Sequence, residues 1–335
     1  MNIKEEHGLV ILKPDGVQKG IEEELIKELK SNDIKIVHVS KRQLTKLQVL
    51  ESFTSDFNMD IYSDYISRSD VIGYLVKGHY AGQKLRDIKQ QIRSNYGYTS
   101  RNMENLIHTA DHGNEYYFQF KQFFPELDIV KYSKFGDMNL RIDGDEQEIT
   151  NTLLSLSEES NLSWVGIVTS IDRVLKTKEV IRELRNLSFN CIIGVSATHN
   201  FNGEILEIIG YLPPSFTYTD YDNLSIEKIV SFEDFAAWIN DLGGLMVLGY
   251  TSTSKINLLL LNVLKRYMIK GITIYDARRD MRQIEDLEEL VEDKAGMLFS
   301  GGTAGIVRGG EIALDRAEFE YLTKSFLFEG IIEYE

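Results

Sequence analysis

The sequence predicts an α/β protein of two units. In the N-terminal unit helices pack on a sheet, and the C-terminal unit is an α/β domain with a mostly parallel sheet. Three observations predict this. The chain has 335 residues, enough for two ordinary domains. Between positions 8 and 132, short β-rich apolar runs alternate with helical ones, and the pattern closes near Tyr132. Beyond it, in SWVGIVTSIDRVLK and in LMVLGYTSTSK, Thr-Ser directly follows a buried strand and precedes a long helix. That is one supersecondary unit used twice, as in a parallel sheet. The boundary falls in SKFGD (133–137), which divides the chain into 1–135 and 138–335.

GLVILKP (8–14) is a strand ended by Pro14 and the turn Asp15-Gly16. In IEEELIKELKSND, Ile21, Leu25, Ile26 and Leu29 fall at helical spacing, with acids early and lysines late as the helix dipole favours. DIKIVHVSKRQL (33–44) is a second strand. A helical stretch at 46–56 and a helix-like segment with Tyr62 and Tyr65 follow. DVIGYLVKG (70–78) is a third strand, and AGQKLRDIKQQIRSN (81–95) is a helix bearing Lys84, Arg86, Lys89 and Arg93. NEYYFQFKQFFPEL (114–127) is the last helix of this unit. The second unit opens on NLRIDGDEQEITNTLLSLSEES, a strand, a turn and a helix, and ends in a glycine-rich stretch before a final helix and strand.

Composition narrows the function. A net charge of -15 disfavours nonspecific binding to nucleic acid or to an anionic membrane, whose phosphates reward the opposite sign. The single cysteine, Cys191, excludes an intrachain disulfide and sits in an apolar run as a small core residue. The start lacks a signal-peptide core, and no apolar run reaches the ~18 residues of a membrane span. A soluble, cytoplasmic protein of a reducing compartment is expected.

Three segments carry chemistry. In LKPDGVQKG, Lys13 closes a strand, where its side chain can reach a site while the sheet holds its backbone; the same residues also make an ordinary turn. Arg86 and Arg93, seven residues apart, share one helix face and could bracket a polyphosphate, or be a solvated basic face. In NLIHTAD, His108 could attack a phosphoryl group as neutral imidazole, with one ring nitrogen free and the other held by a partner. Asn105 could orient the transferring group. Alone, His108 is equally a strand-end histidine.

LVILKPDGVQKG followed by an acidic helix, NLIHTAD, and FFPEL (123–127) together resemble the nucleoside diphosphate kinases over about residues 7–132. The resemblance implies a ferredoxin-like α+β sandwich for the N-terminal unit and ping-pong phosphoryl transfer between nucleotides. His108 would be the phosphorylated nucleophile, Lys13, Arg86 and Arg93 would contact phosphates, and Asn105 the ribose and phosphates. ATP or another nucleoside triphosphate would be the donor and Mg²⁺ would bridge its phosphates. A homo-oligomer is also implied, although the shortened stretch between Arg86 and Arg93 argues against the usual subunit contacts. The chain departs from the family pattern at Phe53, where a tyrosine is expected near the nucleotide, and at Ala110. It departs again at Gln119, where the family has the glutamate that holds the nucleophile's second nitrogen. Glu115, one turn earlier, could substitute, and Asp111 is retained. The base could rest on Phe57, Ile61 or Tyr62. A nucleotide-sensing module without turnover, or a C-terminal enzyme with this unit as accessory, are the other readings.

In the C-terminal unit, YTSTSK (250–255), SGGTAG (300–305) and His199 lie at strand ends where α/β sheets place ligands. Each is equally a cap, a turn or a structural histidine. The unit shows no P-loop, zinc spacing or dinucleotide fingerprint, and it resembles no known family; a nucleotide- or sugar-phosphate-related role is the expectation.

Overall fold

The computed structural model describes residues 4–142, 144–184, 186–201, 204–213, 216, 231–251, 256–276, 278–291, 297–304 and 308–323. The N-terminal sheet contains β1 (Glu6–Leu12), β2 (Lys35–Arg42), β3 (Val71–Gly78) and β4 (Ile107–Thr109) in the order β2-β3-β1-β4. All its pairings are antiparallel. This is the ferredoxin-like arrangement. The helices are α1 (Pro14–Lys19), α2 (Glu22–Ser31), α3 (Lys46–Ser52), α4 (Met59–Ser67), α5 (Ala81–Asn95) and α6 (Gly113–Phe123).

β1 lies inside the sheet and is buried along its length, so its alternating side chains feed two cores. Val10 and Leu12 pack with Leu25, Leu29, Leu85, Ile88 and Ile92 of α2 and α5. Leu9 and Ile11 pack with Val49, Phe53, Tyr62, Phe120 and Phe123 of the α3, α4 and α6 side. β2 is the edge strand and is largely exposed, and its Lys35, Lys41 and Arg42 discourage further pairing. The expected helix at 46–56 stops at Ser52, because Phe53 turns to an extended backbone and buries its ring.

The second sheet holds β5 (Gly136–Arg141), β6 (Trp164–Ser170), β7 (Asn190–Phe201), β8 (Glu204–Tyr211), β9 (Leu245–Leu248), β10 (Ile269–Asp276) and β11 (Leu298–Gly302), side by side in chain order. α7 (Glu146–Glu159), α8 (Val174–Glu183), α9 (Phe232–Asp241), α10 (Leu258–Arg266), α11 (Met281–Glu288) and α12 (Arg316–Thr323) accompany them. The first three strands are mutually parallel, and so are the last three. β8 is antiparallel to both neighbours. The two residues between β7 and β8 cannot make a parallel crossover, which needs about a dozen. The sheet also curls until its edges meet: the Ala304 amide donates to the Asn139 carbonyl at 2.7 Å, and the Thr303 hydroxyl donates to Asp137 at 2.8 Å.

β5 starts at Gly136, inside the expected boundary segment. The apolar core on the α6 side runs on through Ile129, Val130 and Leu162 to Leu153 and Leu156 of α7. Cys191 lies in β7 and packs against that same core. His199, also in β7, lies between Phe232 and Phe235. Ser252–Lys255 of YTSTSK, Gly305 of SGGTAG and the expected final strand lie outside the described residues. Among the described residues no helix is long and apolar enough to cross a membrane.

Candidate active site

The site begins where β1 ends. The Lys13 amide donates to the Leu106 carbonyl at 2.9 Å, and the Leu106 amide donates to the Asp15 carboxylate at 2.9 Å. Tyr65 donates to the other oxygen of Asp15. These bonds hold Leu106 at φ 72°, a left-handed conformation that a branched side chain rarely adopts. A Cβ on Gly16 would lie 2.3 Å from the Leu106 carbonyl oxygen, so only glycine lets α1 approach this segment so closely. The Lys-Pro-Asp-Gly turn and the Asn-x-x-His segment are therefore clamped together. β4 then pairs with β1, placing His108 opposite Ile11.

Lys13 is buried and donates to the Asn105 side-chain amide oxygen and to the Met103 backbone carbonyl, both at 2.7 Å. Its ammonium sits 5.3 Å from the Tyr62 ring centre and 5.1 Å from that of Tyr65. Burial, with the Arg93 charge nearby, pulls it down to about 7. Asn105 is fixed in turn by donating to the Asn102 carbonyl at 2.8 Å. On α5, Arg93 donates to the Ile107 carbonyl at 2.7 Å, and Arg86 reaches the Asp111 carbonyl at 3.2 Å. Lys89 pairs with the Asp111 carboxylate at 2.5 Å. Burial would raise Asp111, but Lys89, the Thr109 hydroxyl and His108 outweigh it and hold the carboxyl at about 2.

Behind the imidazole stands α6. His108 Nε2 lies 2.9 Å from Glu115 Oε1 and 2.9 Å from the Gln119 amide nitrogen. That amide nitrogen donates to the Ser52 carbonyl at 3.1 Å and to Glu115 Oε1 at 3.2 Å, which fixes its orientation. The proton between ring and carboxylate therefore belongs to Nε2, donating to Glu115. Among the described residues Nδ1 has no hydrogen-bond partner. The other Glu115 oxygen accepts from the Asp111 amide at 2.7 Å. Burial opposes the charge of Glu115, yet its contacts with His108 and His112 hold it below the ordinary carboxyl value. Phe53 packs its ring 5.3 Å from the imidazole.

Lys13, Arg86, Lys89, Arg93, Asn105, His108, Asp111 and Glu115 line one cleft of about 540 Å³, a volume in the range of ligand sites. Gln119 and Phe53 are behind the imidazole rather than on the cleft wall, and Phe53 lines a neighbouring cavity instead. Phe57 and Tyr62 reach the cleft, whereas Ile61 is exposed and does not. Lys89 escaped the motif reading, although it stands three residues after Arg86 and four before Arg93, on the same helix face. No local signal pointed to the opposite wall, which the second unit supplies through Tyr275, Glu288 and Glu318. Tyr275 stacks on His112 with ring centres 5.2 Å apart, and Asp315 pairs with Arg86 at 2.8 Å. Burial, and then the charge of Asp315, push Glu6 and Glu318 up to about 8.

Residues 6–129 match the family model described as nucleoside diphosphate kinase. Over that span the N-terminal part of the chain is similar to the nucleoside diphosphate kinases. A nucleoside diphosphate kinase of Acetivibrio thermocellus is 28% identical over 136 residues, 37% of this chain and 98% of that protein. One of Thermoplasma acidophilum is 28% identical over 143 residues, 39% of this chain and 96% of that protein. Among solved structures, a halophilic nucleoside diphosphate kinase from Halobacterium salinarum in complex with CDP is 24% identical, with TM-score 0.32, covering 36% of this chain and 88% of that one. A putative metal-dependent phosphoesterase from Bifidobacterium adolescentis aligns at 10% identity and TM-score 0.43 over 58% of this chain and 97% of that one. The C-terminal half matches no family model. The kinase-family unit thus spans little more than a third of the chain, and it implies nucleoside diphosphate kinase-like activity there.

Proposed function

We propose that this chain moves a phosphoryl group between nucleotides by a ping-pong reaction through His108. The observation that carries this reading is the imidazole itself: Nε2 is tied to Glu115, while Nδ1 has no hydrogen-bond partner among the described residues, in a cleft lined by Lys13, Arg86, Lys89 and Arg93. In the first half-reaction the Nδ1 lone pair attacks the terminal phosphorus of a nucleoside triphosphate. The bond from phosphorus to the bridging oxygen breaks, and the diphosphate leaves with that electron pair. Positive charge grows on the ring as the N–P bond forms, and the Glu115 carboxylate stabilises it through Nε2–H. In the second half-reaction a terminal oxygen of another nucleoside diphosphate attacks, and the N–P electrons return to Nδ1. Lys13 and Arg93 hold the transferring oxygens and Asn105 positions Lys13, so that orientation and fixed charge supply most of the rate. Phe57, which lines both the cleft and the apolar cavity beside it, offers a ring face to the base.

The donor set fits a magnesium nucleotide, since its cations face phosphates; the Asp111 carboxylate, kept ionised, lines the cleft but is paired with Lys89 and the Thr109 hydroxyl, so the metal would be held chiefly through the nucleotide's own phosphates. Magnesium would neutralise phosphate charge when bound. We assign the phosphotransferase unit to about 1–135, the remainder being a second unit attached to its rim.

Incubation with γ-labelled ATP tests the proposal. Acid-labile, base-stable label that disappears in His108→Ala, and that GDP discharges as GTP, is the expected result. Absence of label with every nucleoside triphosphate tried would overturn it. One contact favours a second reading: Asp315 of the far unit already holds Arg86, so a nucleotide phosphate would compete with an internal carboxylate. Nucleotide-dependent thermal stabilisation without transfer would support such a sensor.

A further inference from the structure

A second polar constellation lies at the carboxyl end of the curled sheet. Arg141 ends β5, and it reaches across to Glu207 of β8 at 2.7 Å while donating through Nε to the Asn139 side-chain amide oxygen at 3.2 Å. Ile208 pairs with Leu248, so Glu207 stands just beyond the last residue of β9. A Cβ on Gly249 would fall 2.6 Å from the Glu207 carboxylate, which is why the chain there is glycine. Beyond β10, Arg278 pairs with Asp276 at 2.5 Å, and its guanidinium lies 4.0 Å from the Tyr250 ring centre. Arg279 sits 4.8 Å from the same ring and donates to the Thr251 and Thr273 carbonyls at 3.1 and 3.2 Å.

This cluster has unspent hydrogen-bonding capacity of one kind. Asn139 Nδ2, one terminal nitrogen of Arg141, Arg279 Nε and the Thr273 hydroxyl are buried and have no hydrogen-bond partner among the described residues. The Asn139 amide cannot be reversed, because its oxygen already accepts from Arg141. Asn139, Thr273 and Arg279 are themselves almost wholly buried. Buried polar groups are nearly always paired, and leaving a donor unmatched costs about 1–3 kcal/mol. A cluster of unmatched donors therefore points to an acceptor that arrives from outside. Arg141, Arg278 and Arg279 stand beside Glu207 and Asp276, and the buried Asp137 next to Asn139 has its carboxyl raised by burial. Unmatched donors carried by β5, by β10 and by the turn after it suit a tetrahedral oxyanion better than a planar carboxylate. The carboxyl end of parallel strands is also where curled α/β sheets bind ligands.

We infer that the carboxyl end of the second sheet is an anion site for a phosphoryl group, held by Arg141, Asn139, Thr273 and Arg279, and separate from the His108 cleft. It gives the second unit a ligand of its own, either free phosphate or the phosphate of a small ester.

Calorimetric titration of the full chain with inorganic phosphate tests this, on a Lys13→Met background that weakens phosphate binding in the first cleft. Saturable binding is expected there, with acetate binding far more weakly. Adding Arg141→Lys keeps a positive charge beside Glu207 but removes the guanidinium fork, and should weaken phosphate roughly tenfold or more. The unliganded thermal midpoint serves as the control for folding. Arg279→Gln is the second variant, expected to act in the same direction. A sugar phosphate binding more tightly than phosphate assigns the site to an ester, and the reverse order assigns it to the free ion. No binding on the Lys13→Met background, equal binding of acetate, or unchanged affinity in both arginine variants would overturn the inference.

Discussion

The partner of the nucleophile's second nitrogen is the sharpest test of the proposed chemistry. Glu115→Gln keeps an acceptor for His108 Nε2–H but removes the charge. A hydrogen bond to an ionised group contributes about 1.5–3 kcal/mol and a neutral one about 0.5–1.5 kcal/mol, so about 1–2 kcal/mol of imidazolium stabilisation is lost. At about 1.36 kcal/mol per factor of ten, phosphorylation of His108 should slow roughly 5- to 30-fold. The Gln119 amide nitrogen lies 2.9 Å from the same ring nitrogen, so a carboxylate at 119 can take over. Gln119→Glu on the Glu115→Gln background should therefore recover most of the rate. Gln119→Glu alone should lower the thermal midpoint, because the Gln119 amide nitrogen is 3.2 Å from Glu115 and two buried carboxylates would meet. Single-turnover labelling with γ-labelled ATP, stopped by rapid quench, reads the step directly. An unchanged rate in Glu115→Gln, or a double variant as slow as the single one, would refute the assignment of the carboxylate's role.

Three further outcomes follow from the same geometry. Lys13 sits near 7, so its ammonium is lost as pH rises through neutrality; the ratio of ADP affinities between wild type and Lys13→Met, measured calorimetrically, should shrink from pH 6 to pH 9, and a constant ratio would contradict this. Glu318 is raised to about 8 in the folded chain, so the native state holds a proton that the unfolded chain releases above its ordinary value near 4.5, and this contribution to stability is lost as pH rises through 8. Glu318→Gln can still accept from the Asp315 amide, and denaturant titrations should show a flatter decline of its stability between pH 5 and 9 than in wild type. Gly16→Ala places a methyl 2.3 Å from the Leu106 carbonyl oxygen and should cost about 2 kcal/mol or more in unfolding free energy, with loss of labelling as the Lys13–Asn105 clamp opens.

Much of the N-terminal unit was legible because its signals are local. The helical spacing of Leu25 and Leu29 and the β-rich run Leu9–Leu12 follow from backbone period and strand propensity, whereas Asp15-Gly16, expected as a turn, lies in the first turn of α1. Arg86 and Arg93 share a helix face for the same reason, and the pair of motifs around Lys13 and His108 marked the cleft. β8 was harder to foresee, since an apolar run has the same appearance in parallel and antiparallel pairing; only the short β7–β8 connection decides.

Lys13, Arg86, Arg93, Asn105 and His108, the strands and helices that carry them, and the likeness of residues 6–129 to nucleoside diphosphate kinases were legible in the sequence alone. Tertiary structure decided that Glu115 and Gln119, four apart on one face of α6, both reach His108 Nε2, since only the docking of α6 against the sheet sets their reach. It also decided that Asp315 holds Arg86 and that β11 meets β5 around a polar end. Those contacts join residues more than 150 positions apart, and their geometry comes from sheet curvature and helix packing, which no local periodicity encodes.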